Sequence, residues 1–230
     1  MFVVEGVRLV EEALHYQSPA SVLYVPEQLQ ATPRGRGLLS QVERQPNAAP
    51  TTPGLLAELS DVETSQGIIA AVPLPLLTPP TLSLVLVLDG VQDPGNVGTL
   101  LRSAEAAGVD LVVGLAGTAD LWSPKVVRAA MGAHFRVPLV DDVDWAAVRP
   151  QLAALTAIYA ATQQATLTYD QVDWRQAVAL VVGNEANGVS AETLQLAHEV
   201  TIPMAGAVES LNAAIAGSVL LFEAARQRRR

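Results

Sequence analysis

The sequence predicts an α/β protein: an open, parallel sheet over residues 82–230, preceded by a smaller α/β unit over residues 1–72. Three observations predict it. Leu84–Leu88 (LVLVL) and Ala177–Val182 (AVALVV) are nearly continuous apolar runs, the composition of parallel strands covered on both faces. Strand-like and helix-like runs alternate through residues 82–230, as in a wound sheet flanked by helices. Between the two parts, Pro73-Leu74-Pro75-Leu76-Leu77-Thr78-Pro79-Pro80 holds four prolines in eight residues. Proline lacks the N–H a helix needs, so residues 73–81 read as an extended linker, apolar enough that part of it should pack.

In chain order, Phe2–Val4 reads as a strand and Val7–Leu14 as a short helix, with Val7, Val10, Ala13 and Leu14 on one face. Val22–Val25 is the next strand. Arg34-Gly35-Arg36-Gly37 reads as a flexible basic turn and residues 45–54 (QPNAAPTTPG) as a loop. Leu55–Leu59 is a short helix and Gly67–Val72 a buried strand. In the second part, helices are expected at Val97–Ala107, Ser123–Ala133, Val143–Leu155, Ala191–Leu196 and Leu211–Arg226. Extended segments are expected at Leu84–Leu88, Leu111–Gly114, Val137–Leu139, Ala157–Ala160, Ala177–Val182 and Val200–Ile202. Ligands of such a sheet bind beyond the carboxyl ends of its strands.

Composition narrows the chemistry. The 230 residues contain no cysteine, which excludes disulfides, thiolate metal sites and cysteine nucleophiles. The three histidines, His15, His134 and His198, have no metal-ligand spacing, and no G-x-S-x-G elbow is present. Asp141-Asp142-Val143-Asp144 is explained without a cation as a solvated helix start. No apolar run approaches the roughly 18–20 residues of a membrane span, and Met1–Gly6 is not a signal peptide. The expectation is a cytoplasmic protein with neither membrane nor metal. Its abrupt opening on a strand suggests a missing upstream segment. The net charge of −9 argues against a broadly basic nucleic-acid surface.

Three segments carry chemistry. Asp89-Gly90-Val91-Gln92-Asp93-Pro94-Gly95-Asn96-Val97-Gly98-Thr99 follows an apolar strand and enters a helix, with Arg102 one helical turn later; Gly95 and Gly98 let a ligand or another backbone come close. A helix N-terminus offers free N–H groups to an anion, and a guanidinium clamps phosphate bidentately. An ordinary strand–turn–helix connection accounts equally for the spacing, which is neither a dinucleotide fingerprint nor a P-loop. Gly183-Asn184-Glu185-Ala186-Asn187-Gly188 ends the second apolar strand; read alone, it is a turn with a solvated glutamate. Ile202-Pro203-Met204 through Ser210-Leu211-Asn212 runs into a helix of small residues; read alone, Ser210 caps that helix.

Together, in order and separation, these segments resemble the signature of the SpoU-type RNA 2'-O-ribose methyltransferases, the TrmH-like branch of the SPOUT enzymes. Phe2-Val3-Val4-Glu5-Gly6 and Asp61 through Ala70 resemble that family's small L30e-like RNA-binding domain. The resemblance implies a catalytic domain whose parallel sheet is closed by a trefoil knot, hinged at the prolines, and a homodimer. It implies S-adenosylmethionine as cofactor, contacted by Gly183, Ile202 and Leu211, with Met204 and Gly188 shaping the pocket. It implies RNA as substrate, ribosomal rather than transfer RNA, and a catalytic set of Arg102, Asn96, Glu185, Ser210 and Asn212. Guanidinium cannot accept a proton, so Arg102 would clamp the phosphate and stabilise developing alkoxide, with that phosphate or water taking the proton. Asn96 would orient Arg102 or the ribose. Arg8, Arg34, Arg36, Arg128 and the arginines of 226–230 would contact RNA. Position 209 is Glu where many relatives carry Ser, which adds negative charge beside the site. The competing readings are a non-catalytic RNA-binding or ribosome-assembly protein, which would fail to bind the cofactor, and a nucleotide-binding oxidoreductase, which would need the absent glycine fingerprint.

Overall fold

The computed structural model describes residues 1–79, 81–206 and 210–229; Pro80 of the linker, Glu209 and Arg230 lie outside them. The first unit runs β1 (Phe2–Glu5), α1 (Val7–Tyr16), β2 (Ser21–Tyr24), α2 (Pro26–Gln30), α3 (Pro33–Val42), β3 (Ala48–Pro50), α4 (Pro53–Leu59) and β4 (Ile68–Val72). The strand order is β1-β4-β2-β3, antiparallel except for the β2–β3 pair. One face of this sheet buries Phe2, Val4, Val22, Ile68 and Val72 against Val10, Ala13, Leu38 and Val42 of the helices.

Two expectations fail in this unit. Arg34–Gly37 lies inside α3 rather than in a turn: Thr32 accepts the Gly35 N–H as N-cap, and Pro33 presets the first helical φ. Gly35 is required there because a Cβ would lie 2.2 Å from the Leu29 carbonyl oxygen. The proposed loop at 45–54 contains β3, an edge strand three residues long whose Pro50 is tolerated because an edge position need not donate.

The second unit runs β5 (Leu84–Asp89), α5 (Pro94–Ala107), β6 (Leu111–Leu115), α6 (Pro124–Ala130), β7 (Leu139–Val143), α7 (Trp145–Val148), β8 (Ala157–Ala161), β9 (Val178–Gly183), α8 (Ala191–Leu196), β10 (His198–Val200) and α9 (Ala213–Arg228). All six strands are parallel, in the order β10-β8-β9-β5-β6-β7. Every residue of β5, β6 and β9 is buried, which explains their unbroken apolar sequence. Leu84, Leu86, Leu88, Leu180 and Val182 face α5, α6 and α9, while Val85, Val87, Ala179 and Val181 face Trp145, Val148 and Leu152. α9 packs so closely that a Cβ on Gly217 would lie 2.5 Å from Leu100 and 2.9 Å from Val182.

Local corrections have local causes. The helix expected over Val143–Leu155 contracts to α7, because β7 continues to Val143 and Asp144 N-caps the helix, accepting from Ala147 N at 2.8 Å. Asp141 therefore lies in the middle of a strand instead of opening a helix, accepting from the Leu121 and Asp142 amides at 3.0 Å each. α5 begins three residues early, at Pro94, where Asp93 is the cap. Leu74, Leu76 and Leu77 of the linker are exposed rather than packed. The two units nevertheless touch: α6 lies on β1, and the Phe2 ring sits 5.1 Å from Trp122 and 5.6 Å from Phe135. Among the described residues, no helix is long and apolar enough to cross a membrane.

Candidate active site

The parallel sheet brings the carboxyl ends of β5 and β9 side by side, with Asp89 in register with Gly183. The chain leaves β5 through Gly90 and enters α5 at its Asp93 cap, which sets Asn96 on the first turn. Asn96 then links all three sequence segments. Its Nδ2 donates to Glu185 Oε1 at 2.8 Å, and its Oδ1 accepts from Asn212 Nδ2 at 3.0 Å. Asn212 in turn caps α9, its Oδ1 accepting from the Ala214 and Ile215 amides at 2.9 and 3.2 Å. The cap is therefore Asn212 and not Ser210.

The segment after β9 is a tight loop. Asn184 and Gly188 exchange backbone hydrogen bonds at 2.8 and 2.9 Å, and Gly188 has φ +70°, a conformation that favours glycine. Asn184 Nδ2 reaches back to the Gly90 carbonyl at 2.8 Å, tying this loop to the one after β5. Gly183 lies under the loop: a Cβ there would be 2.4 Å from the Gly188 carbonyl carbon. Asp89 holds the loop's far end, accepting from Ser190 N at 2.7 Å and Thr193 Oγ1 at 2.6 Å; Trp145 Nε1 also donates to Thr193.

These walls enclose a cleft of about 630 Å³. It is lined by Val182–Val189, by Ala161–Gln164 at the end of β8, by Glu199–Ile202, and by Met204, Ser210–Ala213, Ala216 and Leu220. Val182, Ile202, Leu211 and Leu220 give it an apolar floor, while Glu185 and Asn212 stand among its polar lining. Partial burial raises the Glu185 carboxyl, but hydrogen bonds from Asn96 and from the amides of Glu185, Gln92 and Asp93 outweigh it and hold the group below its ordinary range. Glu185 is thus an anion that fixes Asn96. The size suits a small organic molecule, and the buried Thr162 Oγ1, which has no partner among the described residues, supplies an unsatisfied polar atom in the lining.

The structure thus assembles Gly183, Glu185, Gly188, Ile202, Met204, Ser210, Leu211 and Asn212 around one cleft. Asn96 joins them through its two hydrogen bonds. Its amide is engaged by Glu185 and Asn212 and makes no hydrogen bond to Arg102 among the described residues. Arg102 is exposed on α5, outside the cleft lining, with no hydrogen bond or ion pair among the described residues. Gly98 admits another backbone, not a ligand: it lies against α6, where a Cβ would be 2.3 Å from Ala129 Cβ and 3.0 Å from Ala130 N. Arg8 and Arg36 are exposed on the first unit, and Arg36 donates to the Gln30 carbonyl. Arg34 pairs with Glu11, and Arg128 lines a small cavity between the units with Glu5 and Asp61. Two arginines of the tail are engaged: Arg226 pairs with Glu223, and Arg228 donates to the carbonyls of Trp174, Ser83 and Gln176. The sequence placed Asp89 in the first segment without giving it a role, and it marked neither Thr193 nor Thr162; the acid closing the LVLVL run was the available signal for Asp89.

Comparison with known proteins agrees with this layout. Residues 83–222 match the SpoU rRNA Methylase family, and residues 1–70 match the MRM3-like substrate binding domain. The chain is 33% identical over 222 residues to the 23S rRNA (guanosine(2553)-2'-O)-methyltransferase RlmP of Bacillus subtilis, covering 96% of this chain and 87% of that protein. It is 38% identical over 233 residues to the mitochondrial rRNA methyltransferase 3 of Mus musculus; the match takes in 76% of this chain but spans only 56% of the mouse protein. The crystal structure of the SpoU methyltransferase AviRb from Streptomyces viridochromogenes with AdoMet superposes with a TM-score of 0.86 at 30% identity, covering 99% of this chain and 90% of that one.

Proposed function

This chain belongs to the SpoU rRNA methylase family, and on that basis we propose that it transfers a methyl group from S-adenosylmethionine to a ribose 2'-hydroxyl of ribosomal RNA. The observation that carries the reading is the Asn96 bridge, which joins Glu185 and Asn212 at a cleft of about 630 Å³. Gly183, Gly188, Ile202, Met204 and Leu211 would hold the cofactor, whose sulfonium supplies an activated methyl group. Cleft size and the unpartnered Thr162 hydroxyl support that fit.

The chain's own residues do the rest. Glu185, Asn96 and Asn212 fix the N-termini of α5 and α9 against the loop after β9, so the reacting groups meet a preorganised wall. Ser210 adds a hydroxyl on the same side. Arg102 clamps the phosphate beside the target ribose and stabilises negative charge on the 2'-oxygen. It holds no acceptor lone pair, so the proton passes to phosphate or water. Residues 1–72 read RNA, with Arg8, Arg36 and Arg128 as phosphate contacts; residues 82–230 transfer the methyl group, and 73–81 connect them. Arg34 would first have to leave Glu11.

A homodimer working in the cytoplasm completes the reading. The dimer is supported by the apolar Ile215 and Phe222, which are 53% and 45% exposed on α9. Threading of the chain end into a knot is supported by the absence of side-chain room at Gly183 and Gly217. The test is to incubate the protein with labelled S-adenosylmethionine and separate pools of unmodified rRNA and tRNA, then map the labelled nucleotide. Label at a ribose of rRNA is the expected result. Absence of cofactor binding in calorimetry would overturn the reading in favour of a non-catalytic RNA-binding protein.

A further inference from the structure

Arg136 occupies a place that no motif marks. It follows the 3₁₀ turn Ala133–Phe135 after α6, and its side chain is 27% exposed. Its Nε and Nη2 meet the two Glu105 oxygens of α5 at 2.5 and 3.1 Å, a bidentate pair. Its Nη1 donates to Glu12 of α1, and the guanidinium lies 5.4 Å over the Tyr16 ring at the end of the same helix. One cation therefore joins the first unit to α5, the helix that bears Asn96 and Arg102. Beside it, Phe2 of β1 packs among Trp122, His134 and Phe135, so an apolar contact and a charged one brace the same junction.

From this geometry we infer that Arg136 is a positioning residue: with Glu12 and Glu105 it latches the RNA-reading unit onto α5, and so fixes the distance between bound RNA and Arg102. The inference rests on the methyltransferase reading for its kinetic consequence but not for the latch itself. The Pro-rich segment then serves as a connection and not as a working hinge. RNA is measured by a preset spacing, and only the latched population binds it productively, so apparent affinity scales with that population.

The test uses the full chain. Glu12→Gln removes only the arm that crosses between the units, and Arg136→Gln removes both. Expected is a KM for rRNA raised about tenfold or more in each variant, from the loss of a charge-assisted contact. The kcat at saturating RNA and the S-adenosylmethionine affinity should stay within about twofold. Calorimetry supplies a readout independent of activity: one unfolding transition in the unmutated protein should separate into two in the variants. An unchanged KM and a single transition in both would overturn the latch. So would a fall in kcat at constant KM, which would place the effect on Arg102 chemistry instead of RNA placement. If the unmutated protein methylates no RNA, the functional reading fails, and the calorimetric result alone then decides the latch.

Discussion

Replacing Asn96 with Asp changes one atom's character at the centre of the site. The Oδ1 that accepts from Asn212 at 3.0 Å is kept, but the Nδ2 that donates to Glu185 at 2.8 Å becomes a second carboxylate oxygen. Two unit charges at that separation repel by about 1.5 kcal/mol in bulk water and about 6 kcal/mol at an effective dielectric near 20. Glu185 is exposed, so the lower end applies, about 2 kcal/mol. Loss of the hydrogen bond adds about 1 kcal/mol after the same discount. The total of about 3 kcal/mol corresponds to a roughly hundredfold smaller population of the assembled wall, and kcat/KM should fall accordingly. The pH dependence is diagnostic. In the unmutated protein Glu185 sits below its ordinary range, so its contribution is complete above about pH 4.5 and disappears as pH falls through the folded value. In the variant the paired carboxylates rise and take up one proton between them, which restores a donor, so the defect narrows on acidification. Between pH 8 and 5 the Glu185 contribution of the unmutated protein is constant, so initial rates of methyl transfer over that window measure the variant's recovery. A variant within about twofold of the original, or a profile parallel to it, would refute the Asn96 bridge as the organising contact.

Arg102→Ala should lower methyl transfer by about a hundredfold or more while S-adenosylmethionine affinity, followed by calorimetry, is retained; an unchanged rate would remove Arg102 from the chemistry. Gly183→Ala places a Cβ 2.4 Å from backbone that cannot yield, so it should cost about 3 kcal/mol and weaken cofactor binding together with the thermal midpoint. His134 is buried, with Nε2 2.6 Å from the Leu121 carbonyl and Nδ1 unpartnered among the described residues. Burial holds its pKa below the ordinary value, against the opposing pull of the Leu121 bond and Asp120. The unfolded imidazole takes up its proton first, near pH 6.5, so stability is complete above that and declines as pH falls towards the folded value. Thermal unfolding should show that decline before the carboxylates titrate, and a midpoint flat from pH 7 to 5 would contradict it.

The parts of the fold legible in the sequence were those where burial alone decides. β5 and β9 are covered on both faces, so nothing polar interrupts them, and their identity follows from composition. α3 was hidden because glycine at 35 and 37 signals a turn, whereas Gly35 is demanded by the Leu29 carbonyl, a contact that local sequence does not record. The residues after Val143 carry apolar spacing compatible with a helix, and the boundary was set by an Asp144 cap one residue beyond the strand. In the site, Asn96, Glu185 and Asn212 were each conspicuous beside glycine or a helix start. What bound them was not visible: the two bonds from Asn96 span 89 and 116 positions. Ser210 and Asn212 are both good caps, and only the first helical residue, Ala213, selects the asparagine. Arg136 had no local signal, since its meaning lies in Glu12, 124 positions away.

The net charge of −9 takes on a different meaning once the partners of several arginines are known. Arg34, Arg136, Arg175 and Arg226 are engaged by carboxylates. Burial lowers the Arg228 pKa, and the side chain clamps the end of α9 to Ser83 at the start of β5. Arg228 therefore contributes to closing the sheet, and its charge is not a measure of affinity for RNA. Each phosphate contact contributes a salt-dependence slope of about 0.7–0.9, and the candidate contacts number only a few: Arg8, Arg36, Arg102 and Arg128. An acidic enzyme can hold a polyanion with so few charges only if their spacing is set in advance. The docked junction through Phe2, Trp122 and Arg136 supplies that spacing, since it fixes the arginines of the first unit relative to those on α5 and α6. Placement therefore substitutes for charge density, and the bracing of the two units becomes part of substrate recognition.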